Sequence, residues 1–335
     1  MKKILLLHSV IMLLFSSCIE QPEVRKNDKR GNFDALWDIV DTKYCYLTYK
    51  QIDWPEVYVD YLNRLGMIDD GDDMALFDLF GDMLAELKDG HVNLYSTFDI
   101  SRYWSWYTDY PSNFNSSIVY GEKYLGRDYR IAGGMHYKKI AGGKVGYVYY
   151  GSFGSTFGDS NVSHIFREFS NCVGLIIDVR NNGGGYLSQA ELLASYFFDE
   201  KTHTGYISHK TGNGHDDFSK PEKTYTAPHE KVRWRNNVVV LTNRKSYSAT
   251  NDFVCRMKKS PYAVIMGDKT GGGGGMPLSS ELPNGWMVRF SACPMFDAEM
   301  HHTEFGIEPD VYVYMDEGDL KNDAIIDKAV SALLY

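Results

Sequence analysis

An α/β fold with a largely parallel sheet is predicted for residues 144–335, because short apolar strands and amphipathic helices alternate along that stretch. Ahead of it, residues 32–95 carry apolar side chains at three-to-four spacing, the mark of a helical N-terminal domain, and residues 96–143 turn aromatic and turn-rich. At 335 residues, 44% hydrophobic and 24% charged, the chain has a globular composition able to bury a sizeable core. Its net charge of -9 leaves no basic stripe for phosphates, which argues against a nucleic-acid partner.

The chain opens with "MKK" and the short apolar run "ILLLHSVIMLLF", which read as a signal peptide over residues 1–17. "LFSSC" places small residues before Cys18 and resembles a bacterial lipobox, so Cys18 is the expected lipidation site and the membrane an expected partner through that lipid. The run is too short to span a bilayer, for which roughly 18 to 20 apolar residues are needed. Residues 18–31 are polar and suit a tether. The clearest N-terminal helix is "ALFDLFGDMLAELKDG", in which Leu76, Phe80, Met83, Leu84 and Leu87 share a face and Gly90 reads as the stop signal. Residues 96–143 hold "YWSWYTDYPSNFNSS" and then "DYRIAGGMHYKKIAGG", which suggests short strands between glycine turns.

In the remainder, "KVGYVYYGSF", "VGLIIDV", "VVVLTN", "YAVIMG" and "GWMVRFSACPM" read as strands. "NVSHIFREFS", "LSQAELLASYFF", "ATNDFVCRMKK" and "NDAIIDKAVSALL" read as helices. Cys45, Cys172, Cys255 and Cys293 show no CxxC pair, and the last three lie in or beside apolar runs as expected of buried free thiols.

Several residues carry possible chemistry, each with a plainer reading. "DVRNNGGGY" (Asp178 to Tyr186) follows a strand and precedes a helix, where glycine amides approach a negative oxygen, or where a tight turn simply needs positive φ. Ser248 in "KSYSATND" stands at a strand–turn–helix junction, either as a nucleophile with the Ala249 amide behind it or as a helix cap. His91 is a base or an ordinary turn histidine, and Glu304 alone would be a solvated strand residue. The glycine run "TGGGGGM" lacks the Lys-Ser/Thr ending of a phosphate-binding loop. His301 and His302 are adjacent and lack metal-ligand spacing, so no metal is expected there, and chemistry through a serine nucleophile would require no organic cofactor.

Taken in order, "LKDGHVNL", "LIIDVRNNGGG", "TNRKSYSATNDF", "VIMGDKTGG" and "FGIEPDV" resemble the C-terminal processing peptidase and tricorn-core family of serine peptidases. The resemblance implies a crotonase-like ββα catalytic domain with a helical N-terminal part. It places the nucleophile at Ser248 rather than Ser246, and the oxyanion donors at Ala249 and at a glycine of the loop, Gly184 or its neighbour Gly185. Members with a Ser–Lys pair carry a lysine in the turn held here by Gly271, Gly272 and Gly273, and Lys269 does not match it. The tricorn-like branch instead takes its base from the early histidine, His91, oriented by a glutamate, Glu304. Only about 50 residues separate the "DGH" turn from the catalytic strands, too few for the usual PDZ domain.

With the lipobox supplying the anchor, the resemblance implies a lipid-anchored, envelope-facing serine endopeptidase acting on peptides or proteins. The segment around Trp104, Trp106 and Tyr107 would be a lid contacting an extended substrate, or a small aromatic core under a loop. Two other readings stand beside it. Thr250 and Asn251 replace the serine and glutamate common after the nucleophile, which suits an inactive peptide-binding protein, and the aromatic stretch would suit a glycan-binding surface.

Overall fold

The computed structural model describes residues 25–316 and 318–335, so the predicted signal peptide and Cys18 lie outside the described residues. Every strand and helix expected from residue 144 onward is present. The helix Lys29–Lys43 begins inside the expected tether, because the Asp28 carboxylate accepts the Gly31 amide and caps it.

The main sheet has seven strands in the spatial order Val311–Tyr312, Ala263–Gly267, Asn237–Thr242, Gly174–Asp178, Val145–Tyr150, Met135–Ile140 and Arg130–Ala132. Its four pairings from Val145 to Tyr312 are parallel and the two of the hairpin Arg130–Ile140 antiparallel. That hairpin comes from the segment assigned to the aromatic cap, so the boundary drawn at residue 143 runs through the sheet. The central strands are apolar throughout because both faces are covered. Leu175, Ile177, Val238, Val240 and Ile265 pack towards the helices Asp159–Glu168, Leu187–Ser195 and Ala249–Met257. On the other face Val145, Tyr147, Ile176, Val239 and Leu241 meet Ile325, Ile326, Ala329 and Leu333 of the closing helix Ala324–Leu334.

A second, antiparallel sheet went unpredicted except for its longest strand, Met287–Phe296. Around that strand lie Asn93–Tyr95, Ile100–Arg102, Thr202–Ile207, Glu222–Thr226 and Gly275–Glu281. The N-terminal helices do not close a core of their own. Phe33, Leu36, Phe77 and Phe80 share one with Trp286, Val288, Phe290 and Ala292 of this sheet. Alternation along Met287–Phe296 then turns Arg289 and Ser291 to the opposite face, Arg289 into the cleft that Ser248 also lines and Ser291 onto Asp89.

One buried ion cluster locks the ends of the main sheet. Arg180 is completely buried, with a nitrogen 2.6 Å from Asp178 and another 2.9 Å from Asp323. Asp323 also caps the closing helix by accepting the Ile325 and Ile326 amides.

Candidate active site

Ser248 follows the strand Asn237–Thr242 and precedes the helix Ala249–Met257. Its backbone sits at φ 60° and ψ -120°, a strained conformation for a residue with a Cβ. The strain is held by neighbours: the Ser248 amide donates to Gly272 O at 2.8 Å and its carbonyl accepts the Asp252 amide at 3.0 Å. The Oγ makes no capping bond to its helix. It lies 2.8 Å from His91 Nε2 instead, across 157 residues of sequence. Ser246, by contrast, is buried and donates to Val179 O, which makes it part of the turn.

His91 is held by the turn before it. Asp89 accepts the His91 amide at 2.8 Å and is itself fixed by the hydroxyls of Ser291 at 2.8 Å and Tyr44 at 3.0 Å. Burial pushes the His91 imidazole down to about 4; Arg289 and Lys50 act in the same direction, while Asp89 opposes them. Nδ1 is buried without a hydrogen-bond partner among the described residues, and the nearby Gly275 backbone favours the protonated ring without outweighing burial. The ring is therefore neutral near pH 7, with Nε2 placed to accept the serine proton.

Glu304 is buried near this pair, but its carboxylate makes no hydrogen bond to His91. Oε1 lies 2.6 Å from Lys50 Nζ, and Oε2 accepts the Gly274 amide at 3.1 Å. Lys50, which sequence reasoning missed, lies 3.7 Å from Asp89 as well and is almost fully buried. Burial works against its charge, but Asp89 and Glu304 outweigh burial and raise its pKa. Burial and the neighbouring Asp89 push Glu304 up to about 8, against the pull of Lys50 and the Gly274 amide. Asp89 stays below the usual carboxylate range: burial raises it, but Lys50, His91 and the donated hydrogen bonds prevail.

The glycine loop lies against the serine. Gly184 has φ 100° and stands so close that a Cβ there would fall 2.8 Å from Ser248 Cβ and 3.0 Å from the Ala249 nitrogen. Its own amide is committed to Asn182 Oδ1 at 3.0 Å. The amides of Gly185 and Ala249 donate to no described residue. Asn243 pins this loop to the serine turn, accepting the Asn181 amide at 2.9 Å and donating to Asn181 Oδ1 at 2.8 Å. Gly185, Ser248, Gly273, Gly274, Gly275 and Arg289 all line one cleft of about 220 Å3.

The peptidase family S41 model matches residues 144–313, and the tricorn protease C1 domain model matches residues 25–85. The chain belongs to peptidase family S41. A Parabacteroides merdae protein solved as a candidate peptidase shares 51% identity with this S41 chain, at a TM-score of 0.87 over 92% of this chain and 98% of that one. Mature CPAF has the same fold, at 13% identity and a TM-score of 0.69 over 91% of this chain and 96% of that one. Tricorn protease of Thermoplasma acidophilum is 26% identical over 57% of this chain and 17% of its own length. The carboxy-terminal processing protease CtpA of Bacillus subtilis is 25% identical over 52% of this chain and 36% of its own. This S41 chain thus matches well under half the length of these curated relatives.

Within this S41 chain the residues after the serine have a structural task. Asn251 donates to Thr303 O at 3.0 Å and accepts from Thr270 Oγ1 at 2.6 Å, which ties the serine helix to the Glu304 loop. Lys269 pairs with Glu308 at 2.8 Å and does not enter the cleft lining. Trp106 stacks on Tyr247 with ring centroids 4.0 Å apart, Tyr107 packs edge-on to Trp106, and Trp104 stands half exposed beside Arg102. None of the three lines the cleft holding Ser248. Gly90 is no helix stop, since the helix ends at Ala85; a Cβ at Gly90 would meet Trp106 Nε1 at 2.5 Å. Cys45, Cys172, Cys255 and Cys293 are buried and free.

Gly184→Ala is expected to cost about 1–3 kcal/mol in urea unfolding, through its φ and the contact with Ser248. Reaction of Ser248 with a fluorophosphonate should slow at least about tenfold, because the added methyl displaces the serine.

Proposed function

We propose that this protein is a serine endopeptidase that cleaves peptide bonds through Ser248 and His91, on a crotonase-like ββα frame with an N-terminal helical domain. The observation that carries the proposal is the 2.8 Å contact between Ser248 Oγ and a neutral, buried His91 Nε2 at a strained strand-to-helix turn. A serine hydroxyl is too weakly acidic to attack a carbonyl unaided, so a positioned base is the decisive requirement. Ser248 Oγ attacks the scissile carbonyl as its proton passes to His91. The tetrahedral oxyanion takes hydrogen bonds from the Ala249 and Gly185 amides, Gly185 in preference to Gly184 because the Gly184 amide is already occupied. His91 then protonates the leaving amine, and water attacks the acyl-enzyme with the same histidine as base.

Glu304 acts on His91 indirectly. It anchors Gly274, and the backbone of the next residue, Gly275, lies near the His91 ring and favours its protonated form. Through Lys50 it also fixes Asp89, whose charge stabilises the imidazolium. Glu304 is thus a positioning residue. We assign Cys18 as the lipid attachment point of an envelope-facing protein.

The test uses a serine-reactive fluorophosphonate and a peptide-library digest. Wild type should be labelled and should cut peptides, and Ser248→Ala should lose both. Folded wild type that is neither labelled nor active, yet binds peptides, would leave an inactive binding protein. Glu304→Gln should retain labelling while kcat falls more than KM rises, because positioning is lost and the nucleophile is not.

A further inference from the structure

Resting on the peptidase reading, we propose that Arg289 is the specificity-determining residue of the cleft and takes a carboxylate of the peptide substrate. Arg289 lines the same cleft as Ser248, from the middle of the strand Met287–Phe296. It is flanked in register by Asn93 on one side and Ser279 on the other. Its position is half-buried, yet among the described residues its guanidinium makes no hydrogen bond and no ion pair. That is unusual here: Arg180 and Arg256, the other buried arginines, each hold an aspartate.

The remaining charge in the cleft sharpens the point. Asp252 also lines it, but its carboxylate is bound to Arg256 at 2.8 Å and is not available to Arg289. The rest of the lining carries no other basic or acidic side chain, only glycines, neutral hydroxyl and amide groups, a thiol and apolar side chains, so Arg289 supplies its unbalanced cation. A half-buried guanidinium is a poor match for an apolar side chain and a good one for a carboxylate, which its planar fork binds through two parallel hydrogen bonds. The carboxylate has two possible sources, an acidic side chain near the scissile bond or the C-terminal carboxylate of the substrate. Both present the same planar anion. Arg289 already acts at the catalytic base, since its charge joins burial in holding His91 down. A carboxylate docked on it would relieve that effect, coupling a matched substrate to a stronger base.

The experiment measures binding and cleavage separately. Fluorescein-labelled peptides carrying Glu or Gln at each position around the cleavage site, and ending in a free acid or an amide, are titrated by fluorescence polarisation against Ser248→Ala. The same peptides are digested by wild type, Arg289→Gln and Arg289→Lys. One acidic position, or the free C-terminus, should bind about ten- to a hundred-fold tighter than its neutral counterpart. That preference should vanish in the Ser248→Ala, Arg289→Gln double variant, and weaken with salt. In digests Arg289→Gln should lose kcat/KM only for the carboxylate-bearing peptide, and Arg289→Lys should recover part of it. Dependence on the side chain assigns an internal acidic subsite, and dependence on the free acid assigns C-terminal recognition. No preference in the Ser248→Ala protein, or one that survives Arg289→Gln, overturns the proposal. Loss of fluorophosphonate labelling in wild type would refute the peptidase reading instead, while the polarisation arm still decides Arg289.

Discussion

Replacing His91 by alanine is expected to lower kcat/KM for any cleaved peptide by about three to four orders of magnitude. Without the imidazole, Ser248 Oγ loses its only side-chain partner among the described residues and the acceptor for its proton. The proposed oxyanion donors are backbone amides and remain, so a small residual rate should persist. Circular dichroism should show the fold retained, since Asp89 keeps its bonds to Ser291 and Tyr44. The pH profile of the unmodified protein tests the same group. A base works when neutral, and His91 is pushed down to about 4 from the usual 6.5, first by burial. The acid limb of kcat/KM should therefore centre near 4, and a limb near 6.5 would contradict the described environment. Folding stability moves in the same direction as activity. Between 6.5 and about 4 the unfolded chain binds a proton that folded His91 refuses, so folding loses stability as pH falls through that window.

Arg180→Met should be the most destabilising single change, at about 3–5 kcal/mol out of a typical 5–15 for a folded protein. It strands two completely buried carboxylates, Asp178 and Asp323, which Arg180 now neutralises at 2.6 and 2.9 Å. It also frees Asn113 O, which accepts from the same guanidinium at 3.2 Å. Arg180→Lys should recover only part of the loss, because one ammonium cannot reproduce a fork spanning two carboxylates. Urea unfolding followed by far-UV dichroism measures both. A midpoint for Arg180→Met within error of wild type would show that the cluster contributes little. Activity should fall with stability, since the loop Asn181–Gly185 that faces Ser248 begins at the next residue.

The sheet strands from Val145 to Gly267 were readable because each is a short apolar run bounded by turns, and motif order singles out Ser248 and His91, which the fold brings within 2.8 Å of each other. The second sheet was not, because its strands Asn93–Tyr95 and Ile100–Arg102 are three residues long, and their hairpin joins the sheet only where Asn93–Tyr95 pairs with Met287–Phe296, nearly 200 residues away. Lys50 gave no signal for the same physical reason. It ends a four-residue helix, and its importance comes from Glu304 and Asp89, which no local pattern connects to it. Glu304 was found as a residue but not in its contacts, since the sequence cannot show that a lysine stands on its carboxylate. Asn251 looked like a defect beside the nucleophile, and its hydrogen bonds to Thr270 and Thr303 give it a purpose.

The stack of Trp106 on Tyr247 has a spectroscopic consequence. Tyr247 immediately precedes Ser248 and its phenol reaches Asp89 at 3.4 Å, so a single stacked ring stands between that indole and the Ser248–His91 pair. Any acylation of Ser248 or reorientation of His91 that shifts the Tyr247 ring changes the surroundings of that indole. The protein thus carries its own optical probe, and the difference in emission between wild type and Trp106→Phe isolates it, so that the proposed acylation of Ser248 can be timed without a labelled substrate.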